Sequence, residues 1–136
     1  MGMFDALRIS ASGMTAERLR MDVVAENLAN ANTTRGAEGG AYQRKDVVLR
    51  EAQSRSFADV LSGVEVAGIR ADTSPPKQVY DPGHPDADTS GFVSLPNVNA
   101  VTEMVDLITA SRGYEANVQA MNAAKQMFTR TLEILR

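Results

Sequence analysis

The sequence predicts a mainly α fold, in which two long terminal helices pack as a coiled-coil-like pair and a small β-containing, loop-rich insert lies between them. Two observations predict it. Both ends repeat apolar or small residues at alternating three- and four-residue steps, and all five prolines with most of the ten glycines fall between those ends. At the N-terminal end the positions are Phe4, Leu7, Ala11, Met14, Arg18, Met21, Ala25 and Leu28. At the C-terminal end they are Met104, Leu107, Ser111, Tyr114, Val118, Met121, Lys125, Phe128, Leu132 and Leu135. A rhythm held over several heptads keeps one seam toward a partner helix, so these residues form the expected pairing and assembly seam.

The first helix is expected from about Met3 to about Ala31, with Gly13 weakening its interior by about 1 kcal/mol relative to alanine. It leaves through Asn27, Asn30 and Asn32, followed by Thr33, Thr34, Arg35 and Gly36. Asn and Thr side chains compete for backbone hydrogen bonds, and Gly36 accepts a left-handed exit. The second helix is expected after Pro96, with Asn97 or Asn99 as its N-cap and Glu103 and Asp106 near its positive end.

Between the helices, short β-like runs occur at Tyr42 to Leu49, Phe57 to Leu61, Val64 to Ile69, Lys77 to Tyr80 and Phe92 to Leu95. Gly68 breaks the alternation begun by Val64 and Val66, which suits a β-bulge. The expected division is therefore residues 1–35 as N-terminal helix, 36–96 as β-rich insert and loops, and 97–136 as C-terminal helix. An insert with so few aromatic residues makes a thin core and leans on the helices or on neighbours.

Charge narrows the function. Residues 1–35 carry four basic and four acidic side chains, 97–136 four and four, and 36–96 six and nine. No basic stripe follows either helix, which argues against a nucleic-acid partner. Asp5 and Arg8 interrupt the N-terminus before a continuous apolar signal core can form, and no stretch approaches the roughly 18 apolar residues of a membrane span. With no cysteine there is no disulfide and no thiolate ligand.

Metal and catalytic chemistry are poorly supplied. Read as a calcium loop, Asp86, Asp88 and Ser90 would take positions one, three and five with Gly91 at six. Asn97 then stands where a bidentate glutamate is needed. A polar turn explains the run better. The single His84 has no cysteine and no serine in a nucleophile-elbow context to work with. The expectation is no enzyme, no metal and no cofactor.

A second apolar set lies off the seam: Ile9, Val23 and Val24 on the first helix, and Val98, Val101, Val105, Ile108, Met127 and Ile134 on the second. A helix with two apolar faces is buried against more than one neighbour. Two readings fit this periodicity. In one, the ends order as subunits stack; in the other, a self-contained helical hairpin buries its faces internally. A distinct alternative function is a soluble export adaptor or chaperone that uses the helices as a binding hairpin for a client. Arg18 and Lys125 on the seam either fix register against a partner or lay their stems along the interface with their charges in water.

The residues also carry a resemblance. The run Ala25-Glu26-Asn27-Leu28-Ala29-Asn30-Ala31-Asn32-Thr33-Thr34, preceded by Ser10-Ala11-Ser12-Gly13-Met14, resembles the N-terminal signature of bacterial flagellar rod, hook and hook-associated proteins. The runs from Asn97 through Asn99 to Ile108, and from Ser111 to Asn117, are similar to the matching C-terminal signature. The run from Val79 to Asp88 and the short insert narrow the resemblance to proximal-rod members. Arg35 ahead of Gly36 and the stretch Glu38 to Ala41 depart from the pattern. The resemblance implies a structural subunit of the rod, the drive shaft that carries torque from motor to hook. It implies export without a cleaved signal through the flagellar type III apparatus and helical polymerisation in the periplasm. Its implied partners are further copies, other rod proteins and the export-gate and rod-base proteins.

Overall fold

A computed structural model describes residues 3–36, 39–52 and 63–134. Helix α1 spans Met3–Ala29 and helix α2 spans Ala100–Ile134, about 40 and 52 Å long at 1.5 Å per residue. Among the described residues four strands lie between them: β1 Lys45–Glu51, β2 Val64–Ala71, β3 Lys77–Tyr80 and β4 Phe92–Leu95. They form two separate antiparallel pairs, β1 with β2 and β3 with β4. The run Phe57 to Leu61 lies outside the described residues.

The ends of the helices follow from local chemistry. Asn99 caps α2: its Oδ1 accepts from Val101 N at 3.0 Å and Thr102 N at 3.4 Å, and its carbonyl accepts from Glu103 N. At the exit of α1, Asn30 Nδ2 donates to Glu26 O and Thr33 N to Asn30 O, so the helix stops two residues before the expected Ala31. Asparagine satisfies the last carbonyls itself, and the helix has no need to continue.

The first hairpin starts three residues later than expected, at Lys45, because the backbone of Tyr42 is held by Thr33 O instead of by a neighbouring strand. Its register slips where the glycine suggested: Val48 faces Gly68 while Leu49 faces Val66, leaving Ala67 as the extra residue. This bulge places Val66 and Ile69 on the same face as Val47 and Leu49, which an unbroken ladder would put on opposite faces.

The hairpin runs alongside α1 and is pinned twice. Near one end Asn27 holds Lys45, and near the other Ser12 Oγ accepts from Val64 N at 3.1 Å while donating to Ile9 O at 2.7 Å. Ser12 and Asn27 are about 22 Å apart along the helix, close to the roughly 23 Å length of β1. The β3 and β4 hairpin is tied through Asp86, which accepts from Thr34 Oγ1 at 2.8 Å and from the Arg35 guanidinium. Asp86 of the acidic run is thus a clasp between two loops.

Candidate functional site

The two helices run antiparallel in lengthwise contact. Phe4 meets Phe128 with ring centroids 6.4 Å apart, Arg20 reaches Asp106 at 4.0 Å, and Asn27 meets Glu103. Between these contacts lie two glycines in reciprocal positions. A Cβ on Gly13 would come within 2.9 Å of the Asn117 amide, and one on Gly113 within 3.1 Å of the Glu17 carboxyl group. Each helix therefore offers a glycine that receives the residue four positions beyond the glycine of the other. Close approach of two backbones needs such gaps.

Small and polar residues, with two valines, fill the buried line. It comprises Ser10, Ala16, Val23, Val24 and Asn27 on α1, with Glu103, Ala110 and Ala124 on α2. The expected seam lies mostly one residue further along each helix. Leu7, Ala11, Met14, Met21 and Leu28 are half-buried, as are Leu107, Tyr114, Val118 and Met121. Phe4, Ala25, Met104, Phe128 and Leu132 are exposed, and Leu135 lies outside the described residues. The physical reason is separation: helices that close on glycine and alanine leave no room for leucine or methionine between their axes, so large side chains flank the contact. Phe4 and Phe128 are the two seam residues that meet in a ring contact.

At the loop end of the pair sits a buried polar knot. Asn27, fully buried, donates Nδ2 to Lys45 O at 2.8 Å and to Glu103 Oε2 at 3.0 Å. Its Oδ1 accepts from Lys45 N and from Tyr42 Oη, both at 2.9 Å. Glu103, also fully buried, accepts from Arg44 Nε at 2.6 Å. Arg44 lies 3.7 Å from Asp106, and its hydrogen bond to Glu103 raises its pKa above the usual arginine value. Burial, then the nearby Glu26 carboxylate, raises the Tyr42 phenol above 10.0.

Of the signature residues, Asn27 is at the centre of the knot, Asn30 and Thr33 bond each other at the helix exit, and Asn99 is the N-cap. Asn32 and Asn97 are exposed. Sequence reasoning assigned Glu103 to the helix dipole and missed its pairing, because Arg44 lies 59 positions away.

The outer face of the pair remains apolar in places. Val101, Met104, Val105 and Ile108 are 71, 53, 56 and 53% exposed and fall on successive turns of α2. They form an exposed apolar strip on a helix that also carries the buried residues Glu103, Ala110 and Ala124. No described helix is long and apolar enough to cross a membrane.

Comparison with known proteins identifies the class. Residues 7–37 match the family described as flagella basal body rod protein, and residues 89–134 match the family described as flagellar basal body rod FlgEFG protein C-terminal. The first match covers most of α1 and the loop after it, and the second covers β4 and α2. The chain is 43% identical to the flagellar basal-body rod protein FlgC of Borreliella burgdorferi, over 100% of this chain and 99% of the relative. It is 46% identical to the FlgC protein of Bacillus subtilis, over 96% and 97%, and 40% identical to that of Escherichia coli O157:H7, over 98% of each. The chain belongs to the FlgC family of flagellar basal-body rod proteins.

Proposed function

We propose that this structural rod subunit polymerises helically as part of the proximal rod, the segment of the drive shaft nearest the motor, and passes torque toward the hook. The observation that carries the proposal is the full-length likeness to rod proteins together with the outward apolar strip on α2. A helical tube needs two different patches that meet on successive copies, because identical patches close into a point group. The strip at Val101, Met104, Val105 and Ile108 provides one patch, and the exposed Phe4, Phe128 and Leu132 at the far end of the pair provide another.

In this reading the helices within residues 1–35 and 97–136 form the polymerising unit, coiled-coil-like along the flanking seam, and residues 36–96 brace it. Half-buried Met14, Met21 and Met121 adapt to dissimilar neighbours because a methionine side chain repacks easily. The partners are further copies, other rod proteins and the export-gate and rod-base proteins. In this reading the flagellar export apparatus delivers the chain to the periplasm.

Deletion of the gene followed by complementation tests the proposal. Cells lacking the chain are expected to make basal bodies without a completed rod, and the intact chain to restore rod and hook. Normal rods in the deletion strain would overturn it.

A further inference from the structure

The pairing of α1 with α2 at its loop end depends on a residue from neither helix. Glu103 is fully buried, and among the described residues its side-chain hydrogen-bond donors are Asn27 on α1 and Arg44, which immediately precedes β1. Without Arg44, closure of the helices would seal a carboxylate against one neutral amide. A buried charge stripped of its partner is strongly unfavourable. The Asn27 side chain has the same dependence, since three of its four hydrogen bonds go to Lys45 and Tyr42 in that segment.

We infer that the segment Tyr42 to Lys45 is a latch that gates the helix pair: the Asn27 and Glu103 end closes only when this segment has docked. The Gly13 and Gly113 crossing in the middle of the pair takes no hydrogen bond from this segment: the Glu17 carboxyl group that packs on Gly113 has Arg20 of its own helix 3.9 Å away. The two contacts therefore differ in what they need: the loop end closes once the insert supplies its cation, and the crossing draws no donor from Tyr42 to Lys45. This dependence is independent of the rod reading and holds for the chain in isolation.

Hydrogen exchange on the full chain tests the latch through a mutant cycle. In Arg44→Met, amides of residues 104–110 and 20–27 are expected to lose protection by about a hundredfold, as the loop end opens locally. Amides beside Gly13 and Gly113 keep theirs. In Arg44→Met/Glu103→Leu, where no carboxylate remains to be buried, protection at the loop end is expected to return to within about threefold of the starting chain. Unchanged protection in the single variant overturns the latch. So does a double variant as open as the single, which would make Arg44 a packing residue only. If the single variant unfolds throughout, the double variant still decides: recovery supports the latch and continued unfolding overturns it.

Discussion

Gly13 lies directly beneath the Asn117 side chain, and a methyl group there would sit 2.9 Å from its Nδ2. Asn117 is itself fixed, since Nδ2 donates to Gly113 O at 2.9 Å. Gly13→Ala should therefore destabilise the chain, although alanine is favoured in a helix by about 1 kcal/mol. In an Asn117→Ala background the clash is absent, and the same substitution should stabilise by about 1 kcal/mol. Urea denaturation of the four chains measures both signs.

Asn27→Ala removes the partners of Lys45 N–H, of Lys45 C=O and of the Tyr42 hydroxyl at once. The loss of four side-chain hydrogen bonds at a buried residue makes this a cost of about 3 kcal/mol, well above that of an exposed asparagine such as Asn32. Parallel denaturation of Asn27→Ala and Asn32→Ala checks the contrast.

Tyr42 is raised above its usual phenol value first by burial and then by Glu26. A raised folded-state value means that the protonated phenol contributes stability that is complete below about pH 10, the unfolded value. It is lost as pH rises through the higher folded value. Tyr42→Phe should lack this alkaline component while keeping the rest of the pH profile, as followed by circular dichroism between neutral pH and the alkaline transition.

Val105→Glu and Ile108→Glu place charge on an exposed strip and leave the interior untouched. Each should change the stability of the free chain by no more than about 0.5 kcal/mol. Incorporation into the rod should fail, because a buried unpaired carboxylate at an interface is costly. Thermal melts of the free chain and motility of cells carrying each variant separate the two effects.

Much of this architecture was legible in the residues. The helical rhythm, the asparagine-rich exit and the break at Gly68 are local patterns with local causes, and they have their counterparts in α1, in the hydrogen bonds of Asn30 at its end and in the bulge of β2. The line of closest contact was harder to see. Periodicity weighs large apolar residues such as Met14 and Leu107, whereas two backbones in close contact select Gly13, Ala16, Ala110 and Gly113. The available signal was a glycine followed four residues later by a larger polar residue on both helices: Gly13 with Glu17, and Gly113 with Asn117. The knot at Glu103 carried no local signal, because a carboxylate in the first turn of a helix has an ordinary role there and Arg44 belongs to a distant segment.

Imaging the intact basal body at side-chain resolution tests the central claim most directly. The account predicts this chain within the rod, its helices joined at Gly13 with Asn117 and Gly113 with Glu17, and Val101, Val105 and Ile108 covered by a neighbouring subunit. A rod that lacks the chain, or one in which that strip faces water in every copy, would contradict it.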